Sequence, residues 1–111
     1  MKLTIGERFA MRQILDDNKS TGLNLSQLRV ALDLARKALV DKKELDKANY
    51  KFDKKAGRQQ WNEVGSEKEI KITNEEKSLF KMFIEQRDKE SKFFIDGAAL
   101  VLSLIDKFNE K

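Results

Sequence analysis

The sequence predicts a mainly α fold (α+β in class). About five helices pack around the apolar C-terminal helix, with one short β-hairpin near residues 59–72. Three observations predict it. The stretch Gly97–Phe108, GAALVLSLIDKF, is apolar on nearly every side, as a central core helix is. Upstream windows repeat apolar residues at helical spacing behind capping residues. Glu69-Ile70-Lys71-Ile72 alternates polar and apolar after a Gly65-Ser66 turn, the period of a strand.

Taken in order, Thr4 caps a first helix, with Glu7 three residues on at capping-box spacing. Phe9, Met11, Ile14 and Leu15 give that helix a broad apolar face. Asp16-Asp17-Asn18-Lys19-Ser20-Thr21-Gly22 reads as a stop and a loop. The second helix runs from about Leu25 to Leu39, capped by Asn24 or Ser26. Leu25, Leu28, Leu32, Ala35 and Leu39 fall within about 80° on its wheel and form one stripe. A third helix is expected from Asp41 to about Gly57, with Leu45, Ala48, Phe52 and Ala56 inward and Gly57 as its stop. The hairpin follows, leaning on the helices through Trp61, or Ile70 and Ile72. Thr73 or Asn74 caps a fourth helix reaching about Glu90, with Leu79, Phe80, Phe83 and Ile84 on its apolar face. Phe93-Phe94-Ile95 connects it to the last helix, capped by Asp96. Every loop is short and no repeat or linker is visible, so residues 1–111 read as a single small helical domain with an inserted hairpin.

Composition narrows the chemistry. Apolar residues make up 40% and charged residues 38%, a folded and well-solvated balance. The chain has no cysteine, so disulfides, thiolate nucleophiles and zinc–sulfur sites are excluded. It has no histidine, which removes the usual general base near neutral pH and the commonest transition-metal ligand. No serine therefore has an imidazole to activate it, and no P-loop or GxGxxG occurs. Glu75-Glu76 and Asp16-Asp17 pair carboxylates, but helix-dipole compensation and turn formation account for them. Asp16, Asn18 and Ser20 have the one-three-five spacing of a calcium loop; the glycine comes one place late and Gln27 stands where a bidentate glutamate is needed. No catalytic residue, metal site or cofactor is expected. Met1–Glu7 has no apolar signal region and no stretch approaches a membrane span. The expectation is a cytoplasmic or virion protein that does not enter a membrane.

Net charge is +4 and uneven. Residues 1–57 hold 13 Lys/Arg against 8 Asp/Glu, and residues 58–111 hold 10 against 11. On a continuous third helix, Lys43, Lys47, Lys51, Lys54 and Arg58 gather within about 80°, opposite the apolar stripe, with Tyr50 beside them. Such a row suits phosphates, with Tyr50 available to stack. It is more often the composition of an ordinary solvated face, and five residues on one helix are a small footprint for affinity at physiological salt.

The opening Met1-Lys2-Leu3-Thr4-Ile5-Gly6-Glu7-Arg8, followed by Ile14-Leu15, resembles the start of a group of small phage and prophage proteins of unknown function. In that group a "KLTLGER…LL" opening leads through a leucine-rich helix to a "QW/RWN…KEIEI" hairpin and two closing helices. Gln60-Trp61-Asn62 and Lys68-Glu69-Ile70-Lys71-Ile72 match the middle, and Leu104-Ile105-Asp106-Lys107-Phe108 is similar to the "LYEKF" ending. The resemblance implies a viral origin and brings no catalytic residues. Together these features favour a non-enzymatic phage or prophage protein that binds a protein partner, as a virion accessory or host-factor binder. A nucleic-acid-binding (DNA-binding) module built on Lys43, Lys47, Tyr50, Lys51, Lys54 and Arg58 is the alternative, and homo-oligomerisation is open.

Overall fold

Thr4, Asn24, Asp41 and Thr73 each open a helix, as capping residues in the sequence should. The structure, a computed structural model, describes residues 1–17, 22–90, 93, 95 and 97–109. Its elements in chain order are β1 (Lys2–Leu3), α1 (Ile5–Asp17), α2 (Leu25–Lys37), α3 (Lys42–Lys47), β2 (Lys51–Asp53), β3 (Arg58–Gln60), β4 (Lys68–Glu69), α4 (Asn74–Lys89) and α5 (Ala98–Asn109). The fold is mainly α, with a minor component of short antiparallel pairs. The expected cap at Asp96, the connector residue Phe94 and the calcium-like positions Asn18 and Ser20 lie outside the described residues.

The strands pair differently from the expected hairpin over 59–72. β4 joins β1 across the chain, with Lys2 opposite Glu69 and Leu3 opposite Lys68. The real hairpin is β2–β3, with Lys51 opposite Gln60, Phe52 opposite Gln59 and Asp53 opposite Arg58. The alternation at Glu69–Ile72 overlaps the observed strand only at Glu69, and it could not name the partner. That partner is the chain's own start, which buries Leu3 beside Ile70 in the core.

The core joins Leu3 with Met11 and Ile14 of α1, Leu34 of α2, Phe80 and Phe83 of α4, and Leu104 and Phe108 of α5. The Phe80 and Phe108 rings lie 4.5 Å apart. α5 packs chiefly on α1 and contributes Leu104 and Phe108 as its buried pair, while its Leu102 is 60% exposed. The more deeply enclosed helix is α1, where Ile5, Glu7, Arg8, Met11 and Ile14 are all buried.

Polar groups on these helices are paired across the fold. Glu7 takes the Thr4 N–H (2.9 Å) in a capping box. It also accepts from Lys107 Nζ (2.6 Å) and Ser103 Oγ (2.8 Å) of α5. Glu76 takes the Thr73 N–H (2.9 Å) and Lys37 Nζ of α2 (2.6 Å). Glu44 takes the Asp41 N–H (3.0 Å) and both terminal nitrogens of the buried Arg8, at 2.7 and 3.0 Å. Arg8 also donates to the Leu39 carbonyl. The first N–H groups of α1 find partners in the 63–66 loop: Ile5 donates to Ser66 Oγ (3.2 Å) and Gly6 to Glu63 Oε1 (2.8 Å).

All three carboxyls are held below their ordinary value of 4.5. For Glu7 and Glu76 burial pushes upward, and the hydrogen bonds from lysine and from the capped backbone outweigh it. For Glu44 the Arg8 hydrogen bonds dominate. A carboxylate with a lower pKa folded than unfolded binds fewer protons when folded. Its stabilisation is therefore complete above the unfolded value and disappears as pH falls through the folded one. Unfolding free energy should be level above about pH 5 and fall below it. Urea titrations from pH 7 to pH 3 check this; Glu7→Gln and Glu76→Gln should each flatten the curve. At neutral pH, Glu44→Gln leaves Arg8 buried without its carboxylate and should cost about 3–5 kcal/mol.

Candidate interaction surfaces

The third helix ends ten residues before the sequence reading stops it, and this takes Tyr50, Lys51, Lys54 and Arg58 off the helix while Lys43 and Lys47 stay on it. Asn49 sits in the left-handed region (φ 55°). The Tyr50 N–H reaches the Leu45 carbonyl (2.9 Å) and the Asn49 N–H the Asp46 carbonyl (3.1 Å), closing a Schellman cap. Asparagine tolerates that conformation, so the stop signal was Asn49 and not Gly57. Gly57 (φ 64°) instead serves the hairpin turn, where Asp53 Oδ1 accepts from the N–H groups of Lys55 (3.0 Å) and Ala56 (3.3 Å).

The basic row on one helix face therefore does not exist. Lys43 and Lys47 are exposed on α3, Tyr50 lies after its cap, Lys51 is on β2, Lys54 in the turn and Arg58 on β3. The hairpin does bring Lys51, Lys54 and Arg58 together, and adds Lys55. It also sorts its side chains by face. Residues opposite one another share a face, and alternate residues along a strand do too. Tyr50, Phe52, Gln59 and Trp61 thus fall on one face, and Lys51, Asp53, Arg58 and Gln60 on the other.

The aromatic face is ordered from behind by α1. Phe9 meets Trp61 edge-on at 5.2 Å and Tyr50 at 6.4 Å, while the Tyr50 and Trp61 rings run nearly parallel at 21°. Tyr50 Oη donates to Gln59 Oε1 (3.0 Å), and Trp61 Nε1 to Glu63 Oε1 (3.2 Å). The Asn62 N–H reaches the Ala48 carbonyl at 2.7 Å and ties the hairpin base to α3. Phe52 lies further out and is 52% exposed. Beside this cluster opens a cleft of about 930 Å³, lined by Phe9, Arg12, Leu39, Gln59, Trp61 and Leu100 among others.

A second surface lies on α2, where the expected leucine stripe does not face the core. Leu25, Leu28, Leu32 and Leu39 are 74%, 45%, 49% and 53% exposed. The inward side is Leu34 and Ala38, with Val30 and Ala31 partly buried, more than about 100° around the helix. α2 thus carries two apolar stripes. Its rotation is set by Lys37, whose ammonium donates to Glu76 and to the Lys71 carbonyl (2.9 Å). Arg29 and Arg36 edge the leucine stripe, and Arg36 lies 3.9 Å from Asp33. The stripe runs at strict three-four spacing through Ala35, the seam pattern of helix pairing.

Among the described residues no group of three or more acidic side chains is placed to hold a metal ion, and no helix is long and apolar enough to cross a membrane. Comparison with protein-family models, with curated proteins and with solved structures returns no match.

Two substitutions on one helix separate the stripes. Leu34→Ala should cost about 2–5 kcal/mol in urea unfolding; Leu32→Ala should stay within about 0.5 kcal/mol. At the α3 cap, Asn49→Gly should be near neutral and Asn49→Ala should lose about 1 kcal/mol by the same measurement.

Proposed function

We propose that this chain is a non-enzymatic protein-interaction protein whose α2 docks an amphipathic partner helix with acidic flanks. A virion-accessory or host-factor-binding role fits that reading. Phage or prophage origin is part of the same proposal and rests on the resemblance of the opening and of the Trp61–Ile72 words. The non-enzymatic part rests on a sequence without imidazole or thiol.

The observation that carries the reading is the row Leu25, Leu28 and Leu32 on α2, continued by Leu39 just past its C-cap, each 45% or more exposed and at seam spacing. Large apolar side chains aligned on one helix lose free energy in water and recover it against a matching apolar face, at about 25 cal/mol per Å². Charge selects the partner. Arg29 and Arg36 both edge the stripe, so a twofold antiparallel copy centred on Leu32 would set Arg29 beside the other copy's Arg36. Acidic flanks on a different helix would meet both guanidiniums favourably. Leu39 also lines the cleft beside Trp61, so a docked helix that overran the end of α2 would reach an aromatic-walled pocket.

The test is capture from host lysate with the wild-type chain and with a Leu28→Asp/Leu32→Asp variant, with stability controlled by thermal melts. The expected result is a specific protein lost with the double variant, retained with Lys54→Glu, and protecting amides of residues 25–39 from exchange. Capture indifferent to the leucine variant, or a concentration-dependent homodimer that the variant abolishes, would overturn the acidic-helix reading.

A further inference from the structure

We propose that the β2–β3 hairpin binds single-stranded nucleic acid, stacking bases on Phe52, Tyr50 and Trp61. The inference is independent of the leucine face of α2 and involves different residues.

Three observations meet at this element. The first is composition: all residues from Lys51 to Gln60 are exposed, and the ribbon carries Lys51, Lys54, Lys55 and Arg58 against one acid, Asp53. That acid is turned to the Lys55 and Ala56 N–H groups by the tight turn. The second is sorting. The register places Tyr50, Phe52 and Trp61 on one face, with Gln59 between them as a hydrogen-bonding group. Lys54 and Lys55 stand at the tip, and Lys51 and Arg58 raise the potential from the other face. The third is support: Phe9 braces the Tyr50 and Trp61 rings edge-on, so they are held before any ligand arrives. Phe52 stands outside the hydrophobic core, and half its surface meets water.

The arrangement selects the class of nucleic acid. Base edges in a duplex groove are read by forked donors and acceptors, chiefly Arg, Asn and Gln, at the contacting face. Here that face carries three aromatic rings beside the single amide Gln59, and the rings have nothing to stack against in a paired duplex. Unpaired bases expose their π-faces, and each base–ring contact is worth about 1–3 kcal/mol. Tyr50 and Phe52, two strand positions apart, lie about 6.6 Å from one another along the ribbon. That is twice the base-stacking repeat of about 3.4 Å, room for an extended single strand to set one base at each ring. The tip lysines then meet the flanking phosphates.

Trp61 is the sole tryptophan, so its fluorescence reports the site directly. The experiment titrates the full chain with a short oligothymidylate, a duplex of equal length and poly-glutamate at ~50 mM salt. The expected result is Trp61 quenching by the single strand, weakening as salt rises, and a weaker response to the duplex. Phe52→Ala should lower single-strand affinity about 5- to 150-fold with an unchanged thermal melt. Lys54→Glu/Lys55→Glu should weaken binding and reduce the salt dependence. Leu28→Asp/Leu32→Asp should leave the titration unmoved. Absence of binding at ~50 mM salt, a duplex bound as tightly as the single strand, poly-glutamate quenching equally well, or an indifferent Phe52→Ala would each overturn the proposal.

Discussion

The structure hangs on glutamates that do two jobs at once. Glu7, Glu44 and Glu76 each stand three residues after a cap and close a capping box. Each also accepts from a basic side chain on a remote element: Lys107, Arg8 and Lys37 respectively. A capping box alone is a local device that starts a helix. Here the same carboxylate sets where a second element must lie, so helix initiation and tertiary placement depend on one group. Lys107 fixes α5 on α1, Lys37 fixes α2 on α4, and Arg8 fixes α3 beneath α1. In a chain of 111 residues, where the apolar core is small, removing one partner of such a pair leaves a buried charge uncompensated. The same dependence makes the fold sensitive to acid, since protonating one carboxyl loosens a cap and a tertiary contact together.

How much of this could be read from the sequence follows from the range of each signal. Caps are local signals: the Thr4–Glu7 box stands as expected, and of the alternatives Asn24 or Ser26 and Thr73 or Asn74 the structure takes Asn24 and Thr73, each with a box partner three residues on that the reading did not name. The mainly α class follows from them. Two errors came from weighting a strong residue over a weaker one that governed. Gly57 outranked Asn49 as a helix stop, although Asn49 takes the left-handed turn that closes α3. The exposed leucines outranked Leu34, Ala38 and Ala31, although it is these that face the core. Partner choice was beyond reach for a different reason. The alternation at Glu69–Ile72 is symmetric with respect to which strand it joins, and β1 lies more than sixty residues away.

The candidate site was legible as composition and not as geometry. Lys43, Lys47, Tyr50, Lys51, Lys54 and Arg58 are a cluster along the chain, and a helical wheel was the wrong projection for four of them. A strand period applied to Tyr50–Asp53 and Arg58–Trp61 places Phe52 and Trp61 beside Tyr50. A helix period scatters them, and it assigned Phe52 to a core face it does not occupy. Phe52, exposed on a ribbon with aromatic neighbours, is therefore the residue whose role changes most between the two readings.

Arg8 links the two surfaces physically. Its guanidinium is wholly buried, yet it reaches the Leu39 carbonyl at the end of α2 and both Glu44 oxygens at the start of α3. The segment between those contacts carries the last leucine of the exposed stripe. The segment just after them carries the Schellman turn from which the hairpin departs. Holding the α2–α3 corner against α1 therefore holds Leu39 at the lip of the cleft and aims β2 so that Tyr50 meets Phe9. An arginine is suited to this place because its planar fork satisfies a carboxylate with two parallel bonds and keeps a further donor for the backbone, which a lysine's single ammonium would not hold in one geometry. The end of the leucine row at Leu39 and the start of the aromatic ribbon are thus held by one buried cation, and a ligand that shifted either would have to work against the same bidentate pair.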